Sequence, residues 1–203
     1  AVLLVEIDRF RNLEINFSNA EIAHIQTVIT ERLESQVAHP NRLKRLGGGR
    51  FAYVPQPNEV AAPFQLTRLA TRLQSVTQKP ITVHAGQMAV SLSVGIATND
   101  IPANTSGIAL LNAASIALFE ATESGSASAL SYTTDMRDRL DLRNRLIEDV
   151  APAIKSGAIH AFFQPQIDIQ LNKIVGFEAL ARWNRPDRGP VPPLDFVPLA
   201  VEL

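Results

Sequence analysis

The chain has 203 residues, 46% apolar and 19% charged, a balance that supports a sizeable buried core in one large domain or one and a half ordinary ones. Its net charge of −1 excludes a broad basic field for nucleic acid or acidic lipid. The lack of cysteine excludes disulfides, thiol catalysis and thiolate metal sites, and no apolar run approaches the ~20 residues of a membrane span.

The first residues, AVLLVEID, form a continuous apolar run ending in acids, the pattern of a central strand covered on both faces. The chain opens inside that strand and stops on the apolar PLAVEL, so both ends read as cuts. Residues 19–37 carry Ile22, Ile25, Val28, Ile29, Leu33 and Val37 at helical spacing, with Ser18 or Asn19 as cap. Residues 42–46 and 51–54 read as a hairpin around Gly47, Gly48 and Gly49, followed by a positive charge at Arg50. Such a turn is either a plain hairpin or a catalytic loop without its acids.

Residues 58–76 predict a second amphipathic helix through Val60, Phe64, Leu66, Leu69 and Leu73. Residues 88–97 alternate Met88, Val90, Leu92, Val94 and Ile96 with small residues, which predicts a half-buried strand. Residues 106–123 predict a helix closed by Gly125, and 128–132 a short strand. The order β, α, β-hairpin, α, β, α, β is that of an α/β sandwich with a mixed sheet flanked by helices.

Residues 135–156 predict a long helix with a stripe of Met136, Leu140, Arg143, Ile147, Val150 and Ile154, stopped by Gly157. Its many charges read as a solvated face with i,i+4 pairs rather than as a partner surface. This helix is the expected joint between two domains, residues 1–133 and 134–203. Two strands follow at 159–169 and 173–183, separated by a polar turn, then a tail rich in proline and charge and a final helix from about Leu194.

The segments FFQPQID, VGFEALARW and RPDRGPVPPLDFVPLAVE resemble the start of an EAL domain, the bacterial phosphodiesterase that cleaves cyclic di-GMP. The segments LLVEIDRF, RLGGGRF, SLSVGIA and IALFEATESG resemble the strand, turn, strand and helix landmarks of a GGDEF domain, the diguanylate cyclase fold. The resemblance implies the first helix, two strands and the start of a further helix of a TIM-like barrel after the GGDEF sandwich. The glycines then remain from a G-G-[DE]-E-F signature whose two acids stand here as Gly49 and Arg50.

In the resembled cyclase, a metal carboxylate occupies the third turn position and a catalytic acid the fourth. Gly49 has no ligand, and the Arg50 guanidinium stays protonated; Arg50 reads as a surface replacement rather than a phosphate clamp. Glu6 falls on the other metal position, normally the first Asp of D-x-D. The guanine contacts fall on Glu14 and Ala23, and the triphosphate contacts on Thr122 and Ser126. The product-inhibition R-x-x-D would fall on residues 38–41 and is absent. A GTP-sensing role, known for some degenerate members, lacks support because these contacts are missing too. No catalytic residue is therefore expected in this half.

In the EAL half, strand alternation puts Glu178, Leu180 and Arg182 on one face, with Gln164 facing the same way from the neighbouring strand. The resemblance implies a barrel interior in which Glu178 is a metal ligand and Gln164, Leu180 and Arg182 meet the substrate. The residues alone equally allow a buried Glu178–Arg182 ion pair. His24, His39, His84 and His160 lie at no ligand spacing.

The resemblance implies a cytoplasmic cyclic di-GMP signalling protein, whether or not its parent is membrane-anchored. An inactive GGDEF domain would serve as a regulatory or dimerisation module for an EAL phosphodiesterase that hydrolyses cyclic di-GMP to linear pGpG. The complete EAL domain would use Mg²⁺ or Mn²⁺; the present stretch is expected to be inactive and to hold neither. An upstream sensor domain and a homodimer are further expectations. The alternative is a non-catalytic cyclic di-GMP receptor or interaction module in which both domains are degenerate.

Overall fold

The computed structural model describes residues 1–60, 62–84, 86–99, 106–186 and 189–201. They divide into two compact units, Ala1–Met136 and Arg137–Leu203.

The first unit runs β1 (Val2–Ile7), α1 (Phe10–Asn16), α2 (Asn19–Glu34), β2 (Leu43–Gly47), β3 (Arg50–Tyr53), α3 (Pro63–Gln74), β4 (Ile81–Val83), β5 (Gly86–Met88), β6 (Leu92–Ala97), α4 (Gly107–Glu123) and β7 (Ala129–Ser131). Its main sheet has the order β2-β3-β1-β6-β7, antiparallel except for the parallel β6–β7 pair. Strand β1 is central, and its alternate residues enter two different cores. Leu3, Val5 and Ile7 pack with Ile25 and Ile29 of α2 and Leu69 and Leu73 of α3, whereas Val2 and Leu4 pack with Leu110, Ala114 and Leu118 of α4. Helices on both faces are why β1 reads as an unbroken apolar run.

Residues 88–97 do not form one half-buried strand. Met88 belongs to the β4–β5 hairpin, a separate two-stranded sheet, and β6 is buried at every position. The small residues on its second face admit α4 closely: a Cβ on Gly95 would lie 2.2 Å from the Ala114 carbonyl oxygen and 2.3 Å from the Leu118 nitrogen. The helix expected over 58–76 begins later. Pro57–Glu59 forms a short 3₁₀ turn, and Pro63 opens α3, where its missing N–H costs nothing. Phe64 is consequently exposed, while Leu66, Leu69 and Leu73 face the core.

Helix α2 has a reciprocal cap. The Glu21 backbone N–H donates to Ser18 Oγ at 3.4 Å and the Ser18 N–H donates to Glu21 Oε2 at 3.1 Å. The hydrogen bonds from the Ser18 hydroxyl and backbone hold the Glu21 carboxyl below its ordinary value.

The helix α5 (Thr134–Lys155) is followed by β8 (Ile159–Asp168), β9 (Lys173–Arg185), β10 (Gly189–Val191) and α6 (Pro193–Val201). The second unit's core joins Leu146, Val150 and Ala153 of α5 to Trp183 of β9 and to Phe196 and Leu199 of α6. The Trp183 and Phe196 rings meet edge to face at 5.4 Å. The buried face of α5 is thus not the expected stripe, since Ile147 and Ile154 are exposed. The proline-rich tail also contributes a third strand: β10 pairs antiparallel with β9, opposing Pro190 to Asn184. It lies at the sheet edge, where a residue without an N–H is tolerated.

Candidate functional site

The β2–β3 turn explains its three glycines. Gly47, Gly48 and Gly49 have φ of 91°, 56° and 73°, three consecutive left-handed residues. The Ile7 N–H donates to the Gly49 carbonyl at 3.0 Å and fixes the turn against the end of β1. Gly49 is also constrained in space: a Cβ there would sit 2.5 Å from Cγ of Phe10, the residue at the start of α1, closer than any side chain can approach without displacing the ring.

One residue further, Arg50 stands opposite Glu6 in the β1–β3 register. Its Nε donates to Glu6 Oε2 at 2.7 Å, with the Glu6 side chain 19% exposed and that of Arg50 56% exposed. Arg50 is an exposed residue, as a surface replacement would be, and strand pairing also sets it on the carboxylate that the resemblance puts at a metal position. The pair borders a cavity of about 450 Å³ lined also by Gly47, Gly48, Leu118 and Thr122.

Of the other positions singled out in this half, only Thr122 reaches the cavity, and its hydroxyl donates to the Phe119 carbonyl at 2.8 Å. Glu14 and Ala23 are exposed on α1 and α2, and Ser126 is exposed in the turn before β7. A divalent cation finds a poor donor set at this turn, because Glu6 is engaged by a guanidinium and Gly49 contributes no carboxylate. Among the described residues, no three His, Asp or Glu side chains gather as a metal site.

Sequence reasoning passed over Asp8. Its carboxylate accepts from Ser91 Oγ at 2.5 Å, Ser93 Oγ at 2.6 Å and the Ala127 N–H at 2.8 Å. It thereby ties the end of β1 to the start of β6 and to the turn before β7. The E-x-D spacing was the signal available in the sequence; its partners lie more than 80 residues away.

In the second unit the β8–β9 register sets Gln164 directly opposite Glu178, Phe162 opposite Leu180 and His160 opposite Arg182. Directly opposed residues share a face, so Gln164, Glu178, Leu180 and Arg182 lie on one side of the ribbon. Trp183 points to the other side, into the core. The residues-only alternative of a buried Glu178–Arg182 ion pair does not hold: Glu178 is exposed, and Arg182 Nη1 donates to the Ala181 carbonyl at 3.1 Å. Glu178 beside Gln164 offers a cation one carboxylate and one amide oxygen, a fitting wall of a larger donor set. Phe162, Phe163, Ile174 and Phe177 are exposed on the same ribbon.

Two family models match in tandem: the diguanylate cyclase GGDEF domain over residues 1–128 and the EAL domain over residues 147–203. A signaling protein of Caulobacter vibrioides is 31% identical over 207 residues, covering 100% of this chain and 25% of its own length. The cyclic di-GMP phosphodiesterase PdeR of Escherichia coli is 25% identical over 201 residues, covering 99% of this chain and 30% of its own length. The chain thus spans between a quarter and a third of these relatives. Among solved structures, the GGDEF domain of TpbB (YfiN) from Pseudomonas aeruginosa superposes with a TM-score of 0.60 at 26% identity, covering 69% of this chain and 80% of that one. The active GGEEF domain of a diguanylate cyclase from Vibrio cholerae shares the fold, with a TM-score of 0.56 at 15% identity over 66% of this chain and 82% of that one. On the match over residues 1–128, the chain belongs to the diguanylate cyclase GGDEF domain family, and it runs on into sequence of the EAL domain family.

Proposed function

We propose that this chain is part of a cyclic di-GMP signalling protein in which the GGDEF half makes no cyclic di-GMP and instead regulates, or dimerises, an EAL phosphodiesterase. The observation that carries this reading is the Glu6–Arg50 ion pair. A cyclase must hold a metal–triphosphate complex and move a proton from a 3′-hydroxyl. Here the one carboxylate on a metal position is paired with a guanidinium, and the third turn position, the other metal position of the resembled cyclase, is a glycine set against Phe10.

In the EAL half, Glu178 would hold Mg²⁺ or Mn²⁺, and Gln164, Leu180 and Arg182 would meet the dinucleotide. The metal, when bound, supplies polarisation of the phosphodiester and a hydroxide nucleophile. This chain's own residues would supply one wall of that site: Arg182 would favour charge developing on phosphate, and Glu178, opposite Gln164 in the strand register, would present its carboxylate on the same face. PdeR, a named cyclic di-GMP phosphodiesterase, supports the substrate class. In this reading the domain boundary falls between residues 133 and 134, an upstream sensor domain supplies the input, and the protein acts in the cytoplasm.

The experiment is a paired incubation of the longer protein that carries this chain. With cyclic di-GMP and Mn²⁺ it is expected to release pGpG; with GTP and Mg²⁺ it is expected to form no dinucleotide. Formation of cyclic di-GMP from GTP refutes the reading of the GGDEF half. Absence of pGpG refutes the reading of the EAL half and leaves the non-catalytic receptor.

A further inference from the structure

We propose that the Arg50 guanidinium is the resident cation of the glycine turn, so that the neighbouring cavity is closed to divalent metal ions. This deepens the proposed function, since it rests on the reading that the first half is not a cyclase. Three observations carry it. First, the Glu6–Arg50 contact is set by strand pairing: the two residues oppose one another in the β1–β3 register, and Arg50 Nε lies 2.7 Å from Glu6 Oε2. A metal ion would have to displace a guanidinium that the backbone itself delivers.

Second, among the described residues that line the cavity, Glu6 and Arg50 are the only charged side chains, and they pair with one another. The rest of that described wall is apolar, glycine or hydroxyl-bearing, so it adds no further carboxylate ligand. A metal at Glu6 would also sit within a few ångströms of Arg50, where like charges repel. Third, the third turn position has no room for a replacement ligand, because a side chain at Gly49 meets the Phe10 ring. The site is therefore rebuilt around an internal cation, and a ligand that enters this cavity does so without a metal ion.

The test reads metal binding directly and does not depend on turnover. Free Mn²⁺ is followed by electron paramagnetic resonance as the 203-residue chain is titrated. The wild-type chain is expected to show no Mn²⁺ site that Glu6→Gln removes. Arg50→Glu sets a second carboxylate opposite Glu6 and is expected to bind Mn²⁺ roughly tenfold more tightly than wild type, with a thermal midpoint that rises on adding the metal. Arg50→Gln, similar in length and uncharged, serves if Arg50→Glu fails to fold, and is also expected to gain Glu6-dependent binding. A wild-type site that Glu6→Gln abolishes overturns the proposal. So does a folded Arg50 variant with no gain in affinity. Neither outcome requires that the chain make or cleave a dinucleotide, so a failure here is distinguishable from failure of the functional reading.

Discussion

Restoring an acid at the third turn position is the most direct challenge to this site. In Gly49→Asp the new Cβ would lie 2.5 Å from Phe10 Cγ and 2.6 Å from Cδ2, on a residue whose φ is 73°. The left-handed backbone alone costs roughly 1 kcal/mol for a non-glycine residue. Forcing the ring aside adds about 1–3 kcal/mol, the usual range for overpacking. The sum, about 2–4 kcal/mol, is a large share of the 5–15 kcal/mol that holds a typical domain together. Gly48→Asp is the internal control: its φ is 56° and nothing lies within 4 Å of its Cβ, so it bears only the backbone cost. Urea unfolding followed by circular dichroism is expected to rank Gly49→Asp below Gly48→Asp by more than about 1 kcal/mol. In a Phe10→Ala background that difference is expected to shrink, because the ring atoms at 2.5 and 2.6 Å are gone and only the Cβ at 3.0 Å remains. Equal stabilities of the two aspartate variants in the native background would refute the steric argument. The double variant Gly49→Asp/Arg50→Glu is expected to yield no dinucleotide from GTP and Mg²⁺, since Glu14, Ala23, Thr122 and Ser126 still offer no contacts of the resembled type.

Tyr53 is fully buried and donates to Glu59 Oε2 at 2.7 Å; burial, with the carboxylate second, pushes its phenol up to about 12. The unfolded value is about 10, so the folded state holds this proton more tightly; its contribution to stability is complete below about pH 10 and is lost as pH rises toward 12. Phenolate absorbance of Tyr132→Phe, which leaves Tyr53 as the sole tyrosine, is expected to rise near pH 12, and a folded transition near pH 10 would contradict this. Ser18→Ala is expected to cost about 1 kcal/mol by removing the α2 cap. Because the capped Glu21 carboxyl is held low, the cap contributes above the ordinary carboxylate range and fades as pH falls through the lowered value; an acid limb unchanged by Ser18→Ala would contradict it. In the isolated chain, amides of β8 and of Phe177 to Leu180 are expected to exchange faster than those of β1, since that ribbon is exposed on both faces whereas β1 is buried on both. Equal protection in a monomer would refute this.

The sequence carried the elements whose periodicity was long and regular. The apolar run of β1, the spacing of α2 and α4, and the alternation in β6 all rest on side chains that point into a core. Shorter elements escaped. The α1 residues FRNLEIN carry no clear stripe, and its only buried residue is Phe10. The β4–β5 hairpin is three residues a side, so Met88 read as part of β6. The glycine run before a charge left a plain hairpin and an altered catalytic loop both open; only the resemblance to the GGDEF signature marked Gly49 and Arg50 as altered positions. What Arg50 does was not legible, because its partner is 44 residues away and only the β1–β3 register brings them together. The same holds for the Phe10 ring beneath Gly49 and for the serines around Asp8.

The central claim, that the chemistry of this protein resides in the EAL half and not at the glycine turn, is tested most directly by one comparison in the longer protein. Mn²⁺-dependent conversion of cyclic di-GMP to pGpG is measured for wild type, Glu178→Ala and Arg50→Ala, with circular dichroism confirming the fold. The account predicts that Glu178→Ala abolishes turnover and that Arg50→Ala retains it. Full activity in Glu178→Ala, or loss of cleavage in a folded Arg50→Ala, would contradict it.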